Sequence, residues 1–204
     1  MSAMAASFRL TRLHLASRRV PASLLALAVL AAALRIVLHW TPAAGSYSVT
    51  FPLIVAAAAA AVVSVTTRSP IGEPERATGR WLPLLRLGAV LATAGAAYGA
   101  LALGAVGGHL AIGSLALLRD LAGLTGIGLL TAAVLGAGLS WTGPLAYLVI
   151  GIYAFQQSWT TPWLWPARPA PDRGAAICVV LVFAAGVAAI TLRGALDSWD
   201  ASRD

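Results

Sequence analysis

Acid–base or metal chemistry requires several His, Cys, Asp or Glu side chains converging on one point. The three histidines, His14, His39 and His109, are far apart and never at helix-face spacing, so they predict no metal site. The single cysteine, Cys178, lies in an apolar run. That excludes an internal disulfide and a thiolate cluster, and it fits a small buried hydrophobe. All fourteen basic residues are arginine. A chain without lysine can build neither a P-loop nor a Schiff base, so any ATP must be hydrolysed on another polypeptide. The sequence therefore assigns no catalytic, cofactor-binding or metal-ligating residue, and the expectation is a protein that is not an enzyme.

What remains is recognition by the few charged side chains at the edges of apolar runs. Arg35 precedes Trp40 by five residues. An ionisable group there either contacts an anionic cargo or lipid, or snorkels along its aliphatic stem to the headgroups. Glu73, Glu75, Arg76 and Arg80 fit either a short amphipathic cytoplasmic helix that docks on a partner or a solvated loop. Arg119 and Asp120 interrupt an apolar stretch and predict a cytoplasmic turn.

The elements that position these residues are apolar. Of 204 residues, 59% are hydrophobic and 10% charged, whereas a soluble domain carries about 25% charge. Apolar stretches near the length that crosses about 30 Å of hydrocarbon recur throughout. The net charge of +7 is not gathered on a basic face with interleaved aromatics, which excludes nucleic acid as a partner. Membrane lipid is the expected surrounding.

Residues 1–19 form a basic cytoplasmic segment with Arg9, Arg12, Arg18 and Arg19. The run Val20 to Leu38 is too long for a signal h-region and reads as an uncleaved first span. A second span runs from Tyr47 to Thr67, followed by a polar cytoplasmic loop over 68–81. From Leu82 to Leu118 the apolar stretch is too long for one crossing and must fold back, with Gly104, Gly107 and Gly108 favoured over Gly99 as the break. A fifth span is expected from Leu121 to Leu139. Trp141 to Pro144 then breaks the helix, because proline lacks a donor and clashes with the preceding turn. Leu145 to Phe155 is too short to cross. Residues 156–173 hold Trp159, Trp163 and Trp165 among four prolines and suit a membrane interface. The last span covers about Gly174 to Leu192, within a single transmembrane domain at 20–195, and 196–204 form a cytoplasmic tail. With the N-terminus inside, eleven of the fourteen arginines fall on the cytoplasmic side, Arg119 among them, and only Arg35, Arg168 and Arg173 fall outside. Both termini are expected in the cytoplasm of a cell-membrane protein.

The glycine pairs at 95 and 99 and at 104 and 108 have the small-xxx-small spacing of close helix contacts and read as general packing.

This order of elements resembles the permease subunits of ABC-2-type exporters, in particular a compact group from GC-rich bacteria. The likeness rests on Gly72 to Arg80 at the position of a coupling helix and on Gly143 to Tyr153 at that of a re-entrant hairpin. It rests also on Leu117-Leu-Arg-Asp-Leu-Ala-Gly-Leu-Thr-Gly-Ile-Gly-Leu-Leu130, with Asp120 where that family has asparagine. The resemblance implies an all-α membrane protein of six transmembrane helices, with an extracytoplasmic re-entrant hairpin between helices 5 and 6 over 141–173. It implies pairing with a second permease subunit, identical or not, and docking of 68–81 on an ATP-binding cassette subunit that holds ATP and Mg. Arg35, Trp141, Pro144, Tyr147 and Trp159 become candidates for the translocation path or gate. The alternatives are a membrane scaffold that transports nothing and, behind it, a secondary transporter.

Overall fold

The computed structural model describes residues 20–40, 47–67, 82–108, 110–159 and 161–193, and among them every regular element is helical. The helices are α1 (Val20–Trp40), α2 (Tyr47–Val65), α3 (Leu82–Ala105), α4 (Gly113–Leu135), α5 (Thr142–Gln156) and α6 (Arg173–Arg193), with a 3-10 turn at Trp165–Ala167. Among the described residues, four stretches are long and apolar enough to cross a membrane: Pro21–Trp40, Arg86–Ala105, Gly113–Leu135 and Arg173–Arg193. Val49–Val65 and Thr142–Gln156 are shorter apolar helices. Large side chains such as Leu25, Val29, Ile177 and Leu181 point outward, which fits a chain solvated by lipid.

Inter-helix contacts fix the relative directions. Gly104 packs on Ala31, the Arg35 guanidinium donates to the Val106 carbonyl and Gly108 packs on Leu38, so α1 and α3 run the same way. Val90 of α3 clusters with Leu129, Ala132 and Ala133 of α4 and Ile190 of α6, which sets the start of α3 beside the ends of α4 and α6. Gly143 and Pro144 of α5 meet Thr131 and Gly128 of α4, and Gly151 meets Leu53 of α2. Thus α1, α3 and α5 point one way and α2, α4 and α6 the other. The start of α1, the ends of α2 and α6 and the start of α3 lie at one end of the bundle.

Glycine makes the breaks and the tightest crossing. Gly107 has φ 76° between α3 and α4, and Gly136 has φ 88° after α4, a region closed to most side chains. The expected break at Gly104 to Gly108 is therefore where the chain turns. At the α4/α6 crossing a Cβ on Gly126 would lie 2.7 Å from the Phe183 backbone, and one on Gly186 would lie 2.5 Å from the Gly126 carbonyl. Of the pairs singled out by spacing, Gly104 and Gly108 pack against α1, whereas Gly95 and Gly99 face open space.

Two expectations are corrected. The predicted turn at Arg119 and Asp120 does not exist: these are the seventh and eighth residues of α4, which begins at Gly113, and both are buried. A charged pair ends a span only where its charges need water, and these are satisfied inside the protein. The fifth span expected from Leu121 is thus the latter part of α4. The piece from Leu145 to Phe155 belongs to α5, which runs about 22 Å back along α4. The segments 1–19 and 68–81, with Glu73, Glu75, Arg76 and Arg80, lie outside the described residues, as do His109 and the tail 196–204.

Candidate functional site

The most polar part of the interior is built on α4, which is largely buried by the other helices, whereas α1 is mostly exposed. Arg119 stands about 9 Å along α4 from its start. Across from it runs the connection between α5 and α6, where Pro162, Pro166, Pro169 and Pro171 have no N–H to donate and the backbone makes only isolated turns. Carbonyls buried there need donors from elsewhere. Arg119 supplies them. Its Nη1 donates to the Pro169 carbonyl at 2.8 Å, and Nη2 donates to the carbonyls of Trp165 at 2.5 Å and Arg168 at 3.0 Å. Its Nε and Nη2 each lie 3.3 Å from Asp120 Oδ1, an ion pair whose side chains are 6% and 3% exposed. The planar fork suits such a multi-acceptor site better than an ammonium would.

Trp165 fills the space beside the pair. It is 2% exposed, stacks on Tyr147 of α5 with ring centroids 4.4 Å apart, and packs on Ala175 and Val179 of α6. Its Nε1 faces Gly123, where an added Cβ would meet that nitrogen at 2.8 Å, and it has no hydrogen-bond partner. A buried N–H left this way costs about 1–3 kcal/mol. The Tyr147 hydroxyl donates to the Trp163 carbonyl, so α4 and α5 both grip the same segment. A cleft of about 320 Å³ adjoins it, lined by Val49, Thr50, Leu53, Ile152, Phe155, Gln156 and Pro166.

At the outer margin of this segment Asp172 caps α6. Its Oδ1 accepts from the Ala175 N–H at 2.8 Å, and its Oδ2 pairs with the Arg168 guanidinium. The Ala175 N–H, and after it Arg168, hold this carboxyl below the usual carboxylate range.

The residues proposed for a path or gate are not brought together. Tyr147 belongs to the buried cluster. Trp159 is exposed and meets Tyr153 edge to face. Trp141 is exposed at the opposite end of α5, and Pro144 packs on Gly128 near that end. Arg35 is exposed, and its bond to the Val106 carbonyl at 3.1 Å caps the end of α3. Arg119 and Arg168 touch through a hydrogen bond, so they cannot face opposite sides of a bilayer, and the expected placement of Arg119 apart from Arg168 is corrected. The sequence places Trp165 with Trp159 and Trp163 among interfacial tryptophans, whereas it is buried, and the sequence does not single out Gly123. The signal that could have found them is the run of donor-poor prolines, which requires a donor from elsewhere in a chain with very few polar side chains. Among the described residues no group of three or more His, Cys, Asp or Glu could hold a metal ion. No protein-family model, curated protein or solved structure matches this chain.

Proposed function

We propose that this chain is the membrane-spanning subunit of an ABC-type exporter, forming a translocation path and coupling to an ATPase on a separate polypeptide. The observation that carries this reading is the alternation of six helices, which sets the start of α1, the ends of α2 and α6 and the start of α3 at one end of the bundle. On this reading that end is cytoplasmic. Arg35, Arg119, Arg168 and Arg173 lie toward the far end, and the other ten of the fourteen arginines belong to the cytoplasmic end or to segments continuous with it. The segment 68–81 is then the surface offered to the ATPase, and α2 and α5 are crossings despite their length.

A second reading has its own observation. Asp120 is 2% exposed within α4, and acidic groups inside the membrane serve ion-coupled carriers. Gentle purification of the tagged protein from its host separates the two. A stoichiometric Walker-motif protein with vanadate-sensitive ATPase activity, lost on replacing both Glu73 and Arg76, supports the exporter. Uptake by the purified chain alone, driven by a proton gradient and abolished in Asp120→Asn, supports the carrier. Neither activity leaves the non-transporting scaffold.

A further inference from the structure

We infer that residues 161–172 form a removable plug, latched by Arg119, whose lifting admits water between α4, α5 and α6 of a single chain. Four observations converge on this segment. Its backbone is joined to the bundle mainly through groups that can let go as a set: three carbonyls on one guanidinium and one carbonyl on the Tyr147 hydroxyl. Its anchor, Trp165, sits in a slot that exists because residue 123 has no side chain. That anchor is incompletely satisfied, since its indole N–H is buried without an acceptor. Beneath it lies the buried Arg119–Asp120 pair, which apolar packing alone would not need, and Tyr147 and Cys178 pack against the same Trp165 cluster.

The cleft between α2 and α5 gives the opening a direction. Pro166 forms part of its wall and is the neighbour of Trp165. Withdrawal of the plug joins this cleft to the slot left by the indole and uncovers the Arg119–Asp120 pair. The path so formed is polar on the α4 side and apolar on the α2 side, which suits an amphipathic guest. The inference does not depend on what drives transport, because the plug is defined by contacts within one chain.

Cys178 is the only thiol in the protein and packs beside Trp165, so the native chain carries its own reporter. The test is labelling of the full-length protein in lipid nanodiscs with a charged, membrane-impermeant maleimide. Wild type is expected to label slowly at Cys178. Arg119→Gln, which loses the latch, and Gly123→Ala, which fills the slot, are each expected to label at least about tenfold faster, the change that about 1.4 kcal/mol in the opening equilibrium brings. Leu34→Ala, in the α1/α3 packing, serves as a destabilised control and is expected to leave the rate unchanged. The proposal is overturned if wild type labels as fast as the variants, if both folded variants stay protected, or if Leu34→Ala accelerates labelling as much as Arg119→Gln.

Discussion

The α1/α3 side and the α4/α5/α6 side of this bundle are held together by different means. Between α1, α2 and α3 the buried core contacts include Leu27, Leu34, Val63, Ala94, Ala97 and Leu101, all apolar, with Gly104 packed on Ala31, and the directional bond from Arg35 to the Val106 carbonyl lies at the exposed end of α3. Around α4 the contacts include an ion pair, three carbonyls on one guanidinium, a stacked Tyr–Trp pair and an indole N–H without an acceptor. In lipid, apolar packing has no hydrophobic drive behind it, because lipid tails are as apolar as leucine, so the first side is held by van der Waals fit. The second side adds directional bonds in a region of low dielectric, where each is strong when made and costly when broken. Arg119 satisfies the carbonyls of the proline-rich connection, but the buried Asp120 carboxyl and the unpartnered Trp165 N–H add nothing that a stable bundle needs, so function is sought there.

The sharpest way to break this contrast is to remove the latch. Arg119→Leu leaves Asp120 buried without its partner and three carbonyls without a donor, and we expect a loss of about 3–5 kcal/mol. Asp120→Asn leaves Arg119 on its carbonyls and is expected to cost less than half as much. Leu34→Ala, at a site of zero exposure, is expected to cost about 2 kcal/mol, the low end of the range for buried leucine, because leucine exposed to lipid loses little. Reversible unfolding of the three variants in bicelles measures this order. Equal losses for Arg119→Leu and Asp120→Asn would mean that the carbonyl contacts contribute nothing.

A second comparison concerns two helical glycines with different surroundings. Gly126→Ala places a methyl group into the backbone of α6, and we expect a loss of about 1–3 kcal/mol together with weaker α4/α6 packing. Gly95→Ala meets nothing within 4 Å and is expected to be neutral or to stabilise by up to about 1 kcal/mol, since alanine is the better helix former. The same unfolding assay reads both.

These contrasts also separate what was legible in the sequence from what was not. The helical class and the break at Gly104 to Gly108 follow from hydropathy and length, because a run from Leu82 to Leu118 cannot cross once and glycine readily adopts the φ of 76° found at Gly107. The place of Arg119 and Asp120 was not legible. In sequence, a charged pair between apolar runs looks the same at a lipid–water boundary and inside a bundle. Its partners here are carbonyls 46 to 50 residues away, and a backbone carbonyl carries no residue-type signal. Moving that pair from a turn into α4 also changed the role of the following segment, since Thr142–Gln156 became a helix antiparallel to α4. Arg35 stands five residues before the end of α1, and the carbonyl it holds, that of Val106, directly follows α3, a partner no spacing in the sequence indicates. Gly95 with Gly99 and Gly104 with Gly108 are identical as patterns, and only the position of α1 distinguishes them.

The smallest expected effect lies at the edge of the plug, where Asp172 caps α6 and pairs with Arg168. Its carboxyl is held below the ordinary range by the Ala175 N–H first and by Arg168 second. A carboxyl whose folded pKa is depressed binds its proton more readily in the unfolded chain, so its stabilising contribution is complete above the unfolded value of about 3.9. That contribution fades as pH falls through the lower folded value. Wild type is therefore expected to lose thermal stability on acidification below about pH 4 more steeply than Asp172→Asn, which retains a capping oxygen but cannot titrate. Unfolding temperatures of both proteins across this range measure the difference. If the two curves stay parallel, the Asp172 contact carries no thermodynamic weight, and the grip on residues 161–172 comes from Arg119 and Tyr147 alone.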